Sequence, residues 1–105
     1  MSDSAPRLDL QPHHLTIVRD ILRRRVPERQ VLAFGSRATG IAKEYSDLDL
    51  AVLGDEPLSL DAISSLSECF GESDLPFKVD IVDWTRADEA FRKIIRRDGL
   101  DVQSA

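Results

Sequence analysis

The apolar positions of this chain fall into short runs whose period switches between helical and extended. Leu15, Val18, Ile21 and Leu22 recur at helical spacing behind Pro12, a favourable first helical residue, and Pro27 stops the run. A short apolar strand follows over residues 30–34 and breaks at Gly35-Ser36. Residues 47–53, Asp-Leu-Asp-Leu-Ala-Val-Leu, predict a second strand that enters a core at its far end before the turn signal Gly54-Asp55. Ser59 predicts the cap of a helix with a buried stripe of Ile63, Leu66 and Phe70, and Gly71 lies near its end. After a loop through Ser73, Asp74 and Pro76, residues 78–82 predict a third strand, with Val79 and Ile81 on one face and Asp80 and Val82 on the other. Thr85 with Asp88 forms a weak capping signal for a last helix, with Phe91, Ile94 and Ile95 inward and Gly99 at its C′ position. Alternating strand and helix patterns predict an α/β (α+β) fold, a small mixed sheet flanked by helices. The expected boundaries are a flexible tail over residues 1–10, one domain over 11–100, and a short C-terminal tail over 101–105. Strand order does not follow from period alone.

Three aspartates carry the candidate chemistry. Asp47 and Asp49 share a face of the second strand, roughly 7 Å apart along the backbone. Without a cation two such charges repel by about 2 kcal/mol at an effective dielectric of ~20. Their hard oxygens suit Mg²⁺ or Mn²⁺ better than Zn²⁺, and no Cys or His lies near them in sequence. The bland alternative is a pair of solvated acids where a strand leaves its turn. Asp80, flanked by β-branched residues, joins the other two if its strand pairs beside theirs; it then completes a metal shell and takes a proton from an attacking hydroxyl. Asp83 is a fallback, but alternation sets it on the opposite face.

Ten residues separate Gly35-Ser36 from Asp47. Glycine admits close backbone approach, and a strand turning into a helix here presents free N–H groups and a hydroxyl to a phosphate. Arg37 and Lys43 add positive charge against a polyphosphate. Taken alone, Gly-Ser-Arg reads equally as an ordinary tight turn.

The stretch G-S-R-A-T-G-I-A-K-E-Y-S-D-L-D-L, with V-D-I-V-D following, resembles the minimal nucleotidyltransferases of the DNA polymerase β superfamily, whose signature is Gly-Ser, ten residues, then Asp-x-Asp. The resemblance runs from about residue 12 to residue 100, and Arg37, Gly40 and Ser46 agree with it. It implies a polymerase β palm-like fold, with Gly35, Ser36 and Arg37 binding a nucleoside triphosphate. Asp47 and Asp49 would bind two Mg²⁺ ions, Mn²⁺ being an alternative, and Asp80 would be the third carboxylate. The implied reaction transfers AMP, or another nucleoside monophosphate, from ATP or another triphosphate to an acceptor hydroxyl, releasing pyrophosphate. Small proteins of this family resemble antitoxins paired with HEPN-type RNase toxins, some of which adenylylate a tyrosine of the toxin. The implied acceptor is therefore a partner protein. The alternatives are a non-catalytic antitoxin that neutralises its toxin by binding, and a transferase acting on a small hydroxylated molecule.

Length and charge sharpen this picture. A chain of 105 residues makes one domain, burying about 60–70% of its unfolded surface, with nothing over for an acceptor domain. Lys and Arg number 14 against 19 Asp and Glu, a net charge of −5 that disfavours direct nucleic-acid binding unless the bases are segregated. Arg23-Arg24-Arg25 ends the first helix, and Arg92, Lys93, Arg96 and Arg97 stripe the last; both suit a helix C-terminus, and the second could also dock an acidic partner. The single Cys69 precludes an internal disulfide and fits a cytoplasmic setting. No secretory h-region and no apolar run near ~20 residues is present, so no membrane span is expected. His13-His14 reads as solvated, Trp84 as core or as a base-stacking platform, and Tyr45 as surface or as a residue itself modified. A homo-oligomer is compatible with everything above.

Overall fold

The computed structural model describes residues 8–42 and 46–104. Helix α1 (Pro12–Arg25) leads into β1 (Val31–Phe34), a one-turn helix α2 (Ser36–Thr39) and β2 (Leu48–Val52). Helix α3 (Leu60–Gly71) then crosses to β3 (Val79–Asp83), and a 3₁₀ turn (Trp84–Arg86) precedes α4 (Glu89–Asp98) and β4 (Leu100–Gln103). The sheet order is β3-β2-β1-β4. β1 runs antiparallel to both β2 and β4, whereas β2 and β3 are parallel, as a helical crossover between them requires.

The two sheet faces differ. On one, Val31, Ala33, Leu48, Leu50 and Val52 meet Val18, Ile21 and Leu22 of α1 and Leu66 and Phe70 of α3 in the larger core. On the other, Phe34 and Ala51 are covered by Ile95 of α4, with Leu32, Val82, Trp84 and Phe91 packed around them. Local signals act as read: Pro12 opens α1, Val26 caps it just before Pro27, and the Ser59 side chain accepts from the Ala62 N–H.

Five expectations are corrected. Residues 101–103 are not a tail, since Leu100–Gln103 pairs with β1 and buries Val102. Of the expected tail 1–10, residues 1–7 lie outside the described residues, while Leu8 and Leu10 pack on the larger core. Thr85 is not a capping residue of α4; it lies in the 3₁₀ turn, and the Asp88 carboxylate caps α4 by accepting from the Phe91 N–H at 2.8 Å. Ile94 does not face inward, being 41% exposed, and Gly99 is extended rather than left-handed. What Gly99 provides is clearance: a Cβ there would meet the Ile95 carbonyl oxygen at 2.5 Å and Leu32 Cδ1 at 3.0 Å.

Candidate active site

Strand pairing brings the candidate residues together from distant parts of the chain. The antiparallel register sets Phe34 opposite Asp49, so the end of β1 that delivers Gly35 lies beside that acid. The parallel register sets Asp49 opposite Asp80, on neighbouring strands ~4.8 Å apart. Asp47 lies two residues before Asp49, just ahead of β2, and is exposed. The acids share the sheet face that carries α4 but are not among the residues packed beneath that helix. Asp80 keeps 42% of its side-chain surface exposed.

Gly35 is shaped for this junction. Its φ of 80° and ψ of −157° fall where only glycine is at ease, and a Cβ would overlap Asp49 Oδ2. The turn and the carboxylate are therefore in van der Waals contact. Ser36 opens α2, whose Ala38 and Thr39 N–H groups bond back to the Gly35 carbonyl at 3.0 and 3.1 Å. One turn of helix carries little dipole, so the turn offers a phosphate close backbone approach and N–H donors rather than a macrodipole.

Electrostatics mark the same place. Burial, then repulsion from Asp80 and from Asp47, raises the Asp49 pKa. A cluster with surplus negative charge results, and a cation would relieve it. Among the described residues, no three His, Cys, Asp or Glu side chains are drawn tightly enough to hold one ion. Lys78 Nζ instead lies 3.6 Å from an Asp80 oxygen. Of the expected trio, the register pairs Asp49 with Asp80, while Asp47 lies ahead of the pairing and is linked to Asp49 through charge repulsion.

Arg37, expected to add positive charge against a polyphosphate, is engaged within the protein. It is buried, 6% exposed, with Nε donating to the Ser46 carbonyl and Nη1 to the Asp9 carbonyl, both at 2.9 Å. Its guanidinium lies 4.2 Å from the Phe77 ring centroid, and its own carbonyl accepts from the Asp9 N–H at 2.7 Å. Gly-Ser-Arg spacing cannot disclose this, since all three partners are remote in sequence. Lys43 and Tyr45 lie outside the described residues. Asp83, the fallback acid, faces the opposite way: its buried carboxylate accepts from the Leu58 N–H and from the Thr85 N–H and hydroxyl. The stripe on α4 is largely self-paired. Arg92 donates to the Trp84 and Thr85 carbonyls, Arg97 pairs with Asp98, and Arg96 lies 3.9 Å from Glu89. Trp84 packs on the smaller core beneath Arg92 and Arg96, so the core reading of that residue holds. His14 is edge-on to Phe77 at 5.6 Å.

Comparison with known proteins bears on the family and the fold. Residues 18–104 match the family described as "Polymerase beta, Nucleotidyltransferase". The chain is 51% identical over 94 residues to the probable protein adenylyltransferase MntA of Haemophilus influenzae, spanning 90% of this chain and 82% of that one. A solved toxin–antitoxin structure with AMP-PNP superposes with a TM-score of 0.74 at 26% identity, covering 87% of this chain and 73% of that chain. A structure of a tri-AMPylated Shewanella oneidensis HEPN toxin in complex with an MNT antitoxin has the same fold, with a TM-score of 0.69 at 22% identity over 91% and 74% of the two chains. By the match across most of its length and by the identity it shares with MntA, the chain belongs to the polymerase beta nucleotidyltransferase family.

Proposed function

We propose that this nucleotidyltransferase moves AMP from ATP to a side-chain hydroxyl of a HEPN-type toxin, acting as the toxin's antitoxin in the cytoplasm, with Mg²⁺ as cofactor. The observation that carries the reading is the pairing of Asp49 with Asp80 on an open sheet face, with Gly35 in contact with Asp49. The name of the Haemophilus relative and the AMPylated HEPN toxin in the Shewanella complex support the acceptor class.

The donor set fits divalent magnesium. Asp47, Asp49 and Asp80 supply only hard oxygens, and the surplus charge that raises the Asp49 pKa is the charge a cation would compensate. When bound, the metal would neutralise triphosphate oxygens and the charge that develops on the leaving group. The protein's own residues do the remainder. Gly35 lets the backbone approach the phosphates, and the Ser36 hydroxyl and the turn's N–H groups donate to their oxygens. Asp80, half-exposed at the rim, accepts the proton of the incoming hydroxyl as its oxygen attacks the α-phosphorus and pyrophosphate departs.

Among the described residues, no helix is long and apolar enough to cross a membrane, which is compatible with this setting. Incubation with ATP, Mg²⁺ and the co-encoded HEPN protein, followed by intact-mass measurement, tests the reading. The partner should gain the mass of one or more AMP groups. A partner of unchanged mass would refute it, and a toxin silenced without modification would establish neutralisation by binding.

A further inference from the structure

Arg37 joins five stretches of chain that meet around the candidate site. Its backbone belongs to the turn Gly35-Ser36-Arg37, and its Nε holds the carbonyl of Ser46, the residue immediately before Asp47. Nη1 holds Asp9, the guanidinium lies on Phe77, three residues before Asp80, and Phe77 in turn meets His14 of α1. Between the end of β1 at Phe34 and the start of β2 at Leu48, the described residues take part in no strand pairing. The Arg37–Ser46 bond is a side-chain link across that gap.

We propose that Arg37 is a positioning residue that fixes the span between the glycine–serine turn and Asp47, and that it does not contact the triphosphate. This rests on the nucleotidyl-transfer reading, in which the turn holds phosphates and Asp47 holds a cation. In-line transfer tolerates little error there, since displacement by about 1 Å costs on the order of 10²-fold in rate. Burial also argues against direct phosphate contact, because a guanidinium with two donors engaged by carbonyls and one face on an aromatic ring presents little to a ligand. Lysine cannot substitute, being a point charge without the planar fork that bonds two carbonyls while stacking.

The test uses the full chain and Arg37→Lys, read in two ways. The first is amide exchange without nucleotide. Leu48, whose N–H donates to the Lys78 carbonyl at 2.9 Å, and Ile41, whose N–H donates to the Ser36 carbonyl at 3.2 Å, should exchange about ten-fold faster or more, as loss of a charge-assisted bond implies. Ile63 in α3 should be unchanged. The second is ATP titration with EDTA or with Mn²⁺. Affinity in EDTA should stay within about two-fold of wild type, and the Mn²⁺-dependent gain should fall about ten-fold or more. Unchanged exchange at Leu48 would overturn the proposal, as would an equal loss of ATP affinity with and without Mn²⁺, which identifies a direct phosphate ligand. If the wild type itself gains nothing from Mn²⁺, the nucleotidyl-transfer reading fails, while the exchange measurement still decides whether Arg37 fixes the span. Should Arg37→Lys not fold, Phe77→Leu removes the ring beneath the guanidinium, spares its donors, and is judged by the same two readouts.

Discussion

Replacing Gly35 with alanine should damage fold and site through a single added carbon. At φ 80° and ψ −157° a residue with a Cβ is strained by about 1–3 kcal/mol. For a domain of this size each kcal/mol lowers Tm by about 4–8 °C, so a loss of roughly 4–24 °C is expected. The second effect is local. The new Cβ overlaps Asp49 Oδ2, and restoring ordinary contact forces that carboxylate back by about 1 Å. Displacement on that scale should slow AMP transfer by about 10²-fold. Thermal melts and a transfer assay separate the two parts, and a double-mutant cycle with Asp49→Ala isolates the contact. Without the Asp49 carboxylate, Gly35→Ala should retain its backbone strain and lose the steric share, giving a coupling term between sites that touch. A Gly35→Ala protein with wild-type Tm and wild-type transfer would refute the reasoning, and additive effects in the cycle would refute the contact.

Asp49→Asn and Asp47→Asn should each abolish transfer in a folded protein, measured by partner mass and circular dichroism. For Asp49 the pH dependence has a definite sign: its raised pKa means the charged form weighs against the folded state above that value, and the penalty fades as pH falls through it toward the ordinary carboxylate range. Asp49→Asn should therefore melt higher than wild type at pH 7, by a margin that shrinks in acid. Asp83 behaves oppositely: burial acts to raise its pKa, but bonds from Leu58 and Thr85 and the nearby Arg86 lower it overall. Asp83→Ala should cost about 1–3 kcal/mol in urea unfolding at pH 7, since the Leu58 N–H loses its acceptor, and the difference should narrow as pH falls through the lowered pKa, because the protonated carboxyl still accepts but loses its charge-assisted share. Arg92→Glu should lower Tm because Arg92 supports the Trp84 and Thr85 carbonyls, whereas exposed Lys93→Glu should stay within about 0.5 kcal/mol of wild type.

Much of this was legible from residue pattern. Pro12, Ser59 and the apolar runs located α1, α3 and the first three strands because each signal is local. The acids were legible through alternation, which set Asp80 and Asp83 on opposite faces, as the structure has them. What escaped depends on remote partners. β4 alternates correctly as Leu100-Asp101-Val102-Gln103, but four residues identify a strand only once β1 is known to lie beside them. Ile94 fits a helical stripe, yet α4 has only enough sheet beneath it to bury Ile95 and part of Phe91. The task of Arg37 is set by Asp9, Ser46 and Phe77, none of them within its own turn.

The position of β3 at the border of the sheet gives its acid a second consequence. Among the described residues no further strand covers that border, and Val-Asp-Ile-Val-Asp would be a strongly aggregation-prone segment were its first aspartate apolar. Asp80, paired with Lys78, is therefore also a gatekeeper against strand-to-strand association. An inactive protein built by Asp80→Val would risk precipitating for reasons unrelated to catalysis, and Asp80→Asn is the replacement that keeps a polar barrier along the border.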